Sequence, residues 1–119
     1  MMILSDRVLT IDVEASGLGP GTFPIEIALC DVATGETQSW LIRPTKEWLD
    51  PILWHWSKAS AEVHGIALDD LLADGVPVDD VADELDEFVD GATVVSTDQV
   101  ADATWIQTLY AAARRGVSP

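Results

Sequence analysis

The feature that most restricts the fold is a short β-branched segment that ends in two acids. Residues 8–14 read VLTIDVE and are followed by a stretch rich in glycine and proline at 17–21. Such a segment predicts a β-strand that runs into a loop. Because side chains alternate between the two faces of a strand, Asp12 and Glu14 project from the same face, near the carboxyl end of the strand.

The remaining pattern predicts a single mixed α/β domain over residues 1–119. Apolar and polar residues alternate at 23–32, and a turn at 33–36 leads to a third strand at 37–42, so the first three strands form an antiparallel meander. The predicted elements that follow are short helices at 51–57, 60–64 and 68–73, an acidic helix with Val78, Val81, Leu85 and Phe88 on one face, a strand at 92–96, and a helix at 99–114 capped by Thr97 or Asp98. This order is typical of a sheet in which the fourth strand runs parallel to the first.

The charge of the chain limits the kinds of partner it can bind. The net charge is −15, from 21 acidic and 6 basic residues. This is the wrong sign for a broad basic surface that binds nucleic-acid phosphates, although a bound metal ion can supply positive charge locally. Seven acids are expected to form the solvated face of the acidic helix: Asp79, Asp80, Asp83, Glu84, Asp86, Glu87 and Asp90.

The sequence shows no membrane-spanning or secretory pattern, and it contains one cysteine. No apolar run approaches the ~20 residues that cross a bilayer, and the N-terminus lacks the pattern of a secretory signal. The single cysteine, Cys30, excludes an internal disulfide framework and a cysteine-rich zinc site, and it is expected to be a small buried apolar residue. We therefore expect a cytoplasmic protein without membrane contact.

Asp12 and Glu14 form a candidate cation site. Two neighbouring carboxylates repel each other unless one is protonated or a cation lies between them. Their oxygens suit Mg²⁺ or Mn²⁺, and the carboxyl ends of parallel strands are where ligands bind in open sheets. The alternative is a pair of solvated acids at the end of a strand.

Asp102 adds a third acid to this candidate site. Steps of three and four residues along the predicted helix lead from Asp102 to an apolar stripe: Trp105, Ile106, Leu109 and Tyr110. The carboxylate therefore faces the core side, where burial without a compensating charge is costly. We expect a helix N-terminus or a metal to compensate it, and we expect it to converge with Asp12 and Glu14 at one end of the sheet. The alternative is a first-turn acid that favours the helix dipole, with the stripe beginning at Trp105.

Four segments occur in an order that is typical of a known family. They are DVEASG at 12–17, PIEIA at 24–28, VHGI at 63–66 and VVSTDQVAD at 94–102. Together they resemble the DEDDh branch of the DEDD-type 3′–5′ exonuclease superfamily, which has a ribonuclease-H-like fold. The first and last segments resemble the first and second exonuclease motifs, and the four segments cover nearly the whole chain.

The resemblance implies a metal-dependent exonuclease. It implies that the chain hydrolyses the 3′ ends of single-stranded DNA or RNA to nucleoside 5′-monophosphates with two Mg²⁺ or Mn²⁺ ions. The residues it implies as catalytic and metal-binding are Asp12, which bridges both metals, Glu14, which holds the metal that activates water, and Asp102, which supports the second metal site largely through water.

The third motif of that family, a His-x-x-x-x-Asp on a last helix, has no match in the expected place. His64 and Asp69 have the spacing but precede the second motif, and His64 is expected to pack locally. We therefore expect a C-terminally incomplete domain without the last strand and helix, impaired activity, and an exposed sheet edge or core face that favours a homo-oligomer. The alternatives are a catalytically silent nuclease-fold binding or scaffold module and an unrelated acidic α/β interaction domain.

Other side chains have simpler interpretations. Trp40 and Trp105 are expected in the core, whereas one of Trp54 and Trp56 is expected to be exposed and able to stack on a base. Glu26 is expected to make a structural hydrogen bond and not to bind metal.

Overall fold

The computed structural model describes residues 7–17, 22–49 and 65–113. Within these ranges the strands are β1 (Val8–Ala15), β2 (Pro24–Asp31), β3 (Thr37–Leu41) and β4 (Thr93–Ser96), and the helices are α1 (Leu68–Asp74), α2 (Val78–Val89) and α3 (Gln99–Ala112). The helices predicted at 51–57 and 60–64 lie outside the described residues, as do Trp54, Trp56 and His64.

The four strands form one mixed sheet in the order β3-β2-β1-β4. β2 pairs antiparallel with both β1 and β3, and β4 pairs in parallel with β1. The predicted antiparallel meander and the predicted parallel partner of the first strand are therefore confirmed. The connection from β1 to β4 passes through the helical part of the chain, as a parallel pair requires.

The helices α2 and α3 cover one face of the sheet. The buried cluster between them contains Leu9, Val13, Ile27, Leu29 and Trp40 from the strands and Val78, Val81, Leu85, Trp105 and Leu109 from the helices. Trp40 and Trp105 are 4% and 8% exposed, which confirms their predicted places in the core. Full burial of an aliphatic side chain contributes roughly 1.5–3 kcal/mol, so this cluster holds both helices against the sheet. The seven acids of the acidic segment are all exposed, as predicted.

On the opposite face of the sheet the side chain of Cys30 is only half-buried, and this changes the interpretation of that residue. Cys30 alternates with the buried Leu29 and Asp31 and is half-buried, on the face that α2 and α3 do not cover. Its Sγ lies 3.7 Å from the Asp31 carbonyl oxygen. The expectation of a buried apolar cysteine is therefore wrong, because the pleat directs this residue away from the helices.

The end of the sheet where β1 begins is fixed by an arginine. Arg7 donates to the Phe88 carbonyl at 2.5 Å, and its Nε lies 3.4 Å from the Asp31 carboxylate. Asp31 also accepts hydrogen bonds from the backbone N–H groups of Ala33 and Thr34. The bond from Thr34 is the main reason why the pKa of Asp31 is lowered.

One edge of the sheet carries exposed apolar residues. In the part of the chain that the structure describes, β4 is an edge strand, and Val94 and Val95 are 41% and 45% exposed. Self-association through this edge stays a prediction. Among the described helices, none is long and apolar enough to cross a membrane.

Candidate active site

Asp12 and Glu14 lie on the face of β1 that turns away from α2 and α3. Leu9 and Val13 of the same strand are buried in the core, whereas Asp12 is exposed and Glu14 is half-buried. The alternation expected from the sequence thus gives both carboxylates a common face near the carboxyl end of β1.

The register of the sheet places Glu26 beside these two acids. Glu14 pairs with Glu26 across β1 and β2, and Asp12 pairs with Ala28. Glu26 is half-buried on the same face as Glu14. From the sequence, Glu26 is expected only to make a structural hydrogen bond. Its alternation with Ile25 and Ile27 indicated the face, but only the strand register shows that Glu14 is its neighbour.

The carboxyl end of β1 is held by two hydrogen bonds between Ser16 and Phe23. The Ser16 N–H donates to the Phe23 carbonyl at 2.9 Å, and the Phe23 N–H donates to Ser16 Oγ at 3.0 Å. Both residues are fully buried, and the Phe23 ring stacks on Trp48 at 5.3 Å between centroids. These contacts fix the backbone immediately after Glu14, so the carboxylates extend from a rigid strand end.

Asp102 approaches β1 from the first turn of α3. Asp98 caps this helix, since its side chain accepts a hydrogen bond from the Ala101 N–H at 3.3 Å. Asp102 is 7% exposed, which agrees with its predicted place on the apolar stripe. Its carboxylate accepts a hydrogen bond from the Ser96 hydroxyl, and the nearby Val13 N–H lowers its pKa.

Charges on β1, β2 and α3 affect the pKa of Glu14 and of Asp102. Burial raises the pKa of Glu14, and the charges of Asp12, Glu26 and Asp102 raise it further. Burial also raises the pKa of Asp102, and Asp12 adds to this effect, while the hydrogen bond from Ser96 and the nearby Val13 N–H oppose it. No basic side chain is among the causes of either shift in the described part of the molecule. The four carboxylates therefore form a locally negative site, which we call the acidic site: Asp12, Glu14, Glu26 and Asp102.

The acidic site has donor atoms that suit a divalent cation, although the positions of its side chains do not. Carboxylate oxygens are the ligands that Mg²⁺ and Mn²⁺ prefer, and mutual repulsion among these acids would be relieved by a cation. However, within residues 7–17, 22–49 and 65–113 no three His, Cys, Asp or Glu side chains are arranged as a ligand group. The carboxylate oxygens are therefore suitable ligands for a cation, but the side chains must move for a cation to bind.

A cleft lies beside Asp102 on the side of β4. Its volume is ≈ 260 Å³, and its lining includes Ile11, Val94 and Ser96 from the strands and Gln99, Asp102 and Ile106 from α3. Most of its surface is apolar apart from Ser96, Gln99 and Asp102. The cleft therefore leaves space next to the Ser96 hydroxyl, which contacts Asp102.

Comparison with solved structures identifies the fold. E. coli exonuclease I in complex with a dT13 oligonucleotide superposes with a TM-score of 0.72 and 15% identity, over 90% of this chain and 24% of that chain. A product-bound structure of exonuclease I gives a TM-score of 0.73 and 16% identity, over 89% and 25%. A metal-free form of an E. coli exonuclease I complex with single-stranded DNA gives 0.73 and 15%, over 90% and 24%.

The similarity is confined to three-dimensional structure. No protein-family model and no characterised protein sequence matches the chain. The chain spans about a quarter of the length of the exonuclease I structures that it resembles. At 15% identity this likeness establishes the fold alone. The predicted α/β class is thereby confirmed, and the chain has the ribonuclease-H-like fold found in exonuclease I.

Proposed function

We propose that this chain is a metal-dependent 3′–5′ exonuclease domain, of the DEDD type, that acts on single-stranded nucleic-acid 3′ ends and releases nucleoside 5′-monophosphates. The observation that carries the proposal is the buried Asp102 carboxylate, whose pKa is raised by burial and by the charge of Asp12. A buried acid close to other acids is characteristic of functional sites. The fold supports the proposal, since similar structures of exonuclease I contain oligonucleotide or single-stranded DNA.

Asp12, Glu14 and Asp102 are the residues that would hold Mg²⁺ or Mn²⁺. A bound divalent cation would polarise the phosphoryl group and make a nucleophile available near neutral pH. The protein itself would orient the donors: the strand fixes Asp12 and Glu14 on one face, and α3 brings Asp102 to the side of β1. Glu26, opposite Glu14, would increase the negative potential that attracts the cation.

The charge of the chain makes nucleic-acid binding depend on that cation. With a net charge of −15 and an acidic site at the end of β1, a phosphate is repelled when no cation is present. We therefore expect an oligonucleotide to bind detectably only when Mg²⁺ or Mn²⁺ is added. This differs from proteins that bind phosphates through lysine and arginine surfaces.

The experiment combines Mn²⁺ binding with nuclease activity. Mn²⁺ binding is measured by the electron paramagnetic resonance signal of the free ion, and release of nucleoside monophosphates is measured on a 3′-labelled single-stranded oligonucleotide. Asp12→Ala should remove Mn²⁺ binding and any slow release of monophosphates, whereas Asp79→Ala, an exposed acid of α2, should change neither. Absence of Mn²⁺ binding in the unaltered chain would refute the proposal.

A second candidate function is a catalytically silent nuclease-fold module that binds nucleic acid or a protein partner. One observation favours it: the Asp102 carboxylate already accepts a hydrogen bond from Ser96, and no ligand group is formed among the described residues. Oligonucleotide binding that does not depend on Mn²⁺, in a folded chain that releases no monophosphates, would support this alternative.

A further inference from the structure

Asp102 reaches β1 where the strand pairing of β4 has ended. The Arg7 carbonyl accepts a hydrogen bond from the Thr93 N–H, so β1 directs the backbone groups of alternate residues, including Ile11 and Val13, towards β4. β4 ends at Ser96, opposite Ile11, and cannot provide an acceptor for the next donor in the row. The Val13 N–H instead lies close to the Asp102 carboxylate and lowers its pKa.

Ser96 makes a second contact with the same carboxylate. It is the last residue of β4 and pairs with Ile11, so its side chain is on the face that α3 covers. Its Oγ accepts a hydrogen bond from the Asp98 N–H at 3.0 Å, and its hydroxyl donates to Asp102 Oδ2. A hydroxyl has one hydrogen to donate and can accept at the same time. The bond from Asp98 therefore leaves that hydrogen for Asp102.

We infer that Ser96 is a positioning residue that fixes the Asp102 carboxylate for cation binding at the acidic site. This inference rests on the proposed function. An ionised carboxylate has about four acceptor positions on its two oxygens. The Ser96 hydroxyl occupies one of them, so the carboxylate is held in place with positions still open for a cation.

The contact also connects the cap of α3 to the acidic site. Ser96 accepts from the Asp98 N–H, and Asp98 caps the helix on which Asp102 lies. One hydroxyl thus connects the end of β4, the start of α3 and the third acid. Hydrogen-bond partners that orient metal-ligating groups typically affect metal affinity by ~10–100-fold when they are removed.

A purely structural role for Ser96 predicts a different pattern of results. If Ser96 only stabilised the start of α3, its loss would lower thermal stability and leave the Mn²⁺ affinity of the folded fraction unchanged. A positioning role requires the affinity of the folded protein to fall. Threonine is the conservative variant because it keeps the hydroxyl, and Ser96 lines the ≈ 260 Å³ cleft.

The test measures Mn²⁺ affinity, by electron paramagnetic resonance of the free ion, and thermal unfolding for the unaltered chain and four variants. Ser96→Ala and Ser96→Cys should bind Mn²⁺ about 10-fold more weakly while remaining folded. Cysteine approximates the shape of serine but is a weak donor. Ser96→Thr should keep the original affinity. Ser39→Ala is the matched control, because Ser39 is an exposed residue of β3, at the other edge of the sheet.

The outcomes separate this inference from the proposed function. An unaltered chain that binds no Mn²⁺ refutes the proposed function, and the role of Ser96 with it. An unaltered chain that binds Mn²⁺ with the same affinity as folded Ser96→Cys or Ser96→Ala refutes the positioning role alone. If Ser96→Ala does not fold, the comparison of Ser96→Cys with Ser96→Thr decides, and equal affinities would overturn the inference.

Discussion

Glu14 and Glu26 are directly opposite each other in the antiparallel pair of β1 and β2, with both side chains on the face opposite α2 and α3. Like charges in this arrangement destabilise a sheet. Glu26 is one of the charges that raise the pKa of Glu14, after burial and Asp12. The protein therefore folds with unfavourable electrostatics at the end of β1, as is common where a site is selected for binding and not for stability.

Removing the charge of Glu26 should stabilise the protein in the absence of divalent cations. Glu26→Gln removes the like charge opposite Glu14, and we expect a gain of about 0.5 kcal/mol in the free energy of unfolding at pH 7. Urea denaturation with a chelator present measures this gain. Glu84→Gln, an exposed acid of α2, is the control and should change stability less. A destabilised Glu26→Gln variant would show instead that Glu26 makes the structural hydrogen bond expected from the sequence.

The pH dependence of stability should have opposite signs at Glu14 and Asp31. The pKa of Glu14 is raised above 4.5, so its ionisation costs stability as pH rises through 4.5 towards the folded-state value. Glu14→Gln should therefore become more stable relative to the unaltered chain as pH increases. The pKa of Asp31 is lowered below 3.8, so its contribution is present above 3.8 and is lost as pH falls through the folded-state value. Asp31→Asn should thus be most destabilising near neutral pH. Thermal unfolding of both variants from acidic to neutral pH tests the two signs, and equal slopes would contradict both.

Divalent cations should stabilise the folded chain through the acidic site. A ligand that binds only the folded state at about 100 times its dissociation constant adds about 2.7 kcal/mol. We expect Mn²⁺ or Mg²⁺ to raise the unfolding temperature of the unaltered chain. Asp12→Asn should abolish this increase, whereas Asp79→Asn should retain it, since Asp79 is an exposed residue at the start of α2. An equal increase in both variants would indicate nonspecific screening of the acidic surface.

The 119-residue chain should degrade single-stranded 3′ ends slowly or not at all, even with Mn²⁺ present. The acids Asp12, Glu14 and Asp102 can hold a cation, but no His-x-x-x-x-Asp follows Asp102 in this sequence. Assistance by a general base is typically worth ~10²–10⁴-fold in rate. The measurement is the release of nucleoside monophosphates from a 3′-labelled oligonucleotide, with Asp12→Ala as the blank. Rapid digestion that Asp12→Ala abolishes would show that the third motif is not required.

The exposed edge of β4 should promote self-association. Val95 is 45% exposed on an edge strand of the described sheet, and unpaired strand edges with apolar side chains favour pairing with another chain. Val95→Lys should shift the protein towards a monomer in analytical ultracentrifugation. Val32→Lys is the matched control, because Val32 is 62% exposed but follows the end of β2. A monomeric unaltered chain at all concentrations would exclude this edge as an interface.

Local patterns predicted most of the fold. The alternation of side chains in β1 and β2 and the apolar stripes of α2 and α3 depend on residues close in sequence, and these elements were predicted within a few residues of their observed bounds. The prediction for Cys30 is wrong because the alternation gives its face but not which face the helices cover. That choice depends on packing between elements distant in sequence.

The sequence by itself determined that Asp12 and Glu14 share a face and that Asp102 begins the apolar stripe of a helix. Both conclusions follow from the periods of a strand and a helix, which are set by backbone geometry. Only the tertiary structure decided that Glu26 is opposite Glu14, that β4 ends before Val13, and that Ser96 therefore meets Asp102 there. Strand register and the point at which pairing stops result from the packing of the whole sheet against its helices, and no local pattern encodes them.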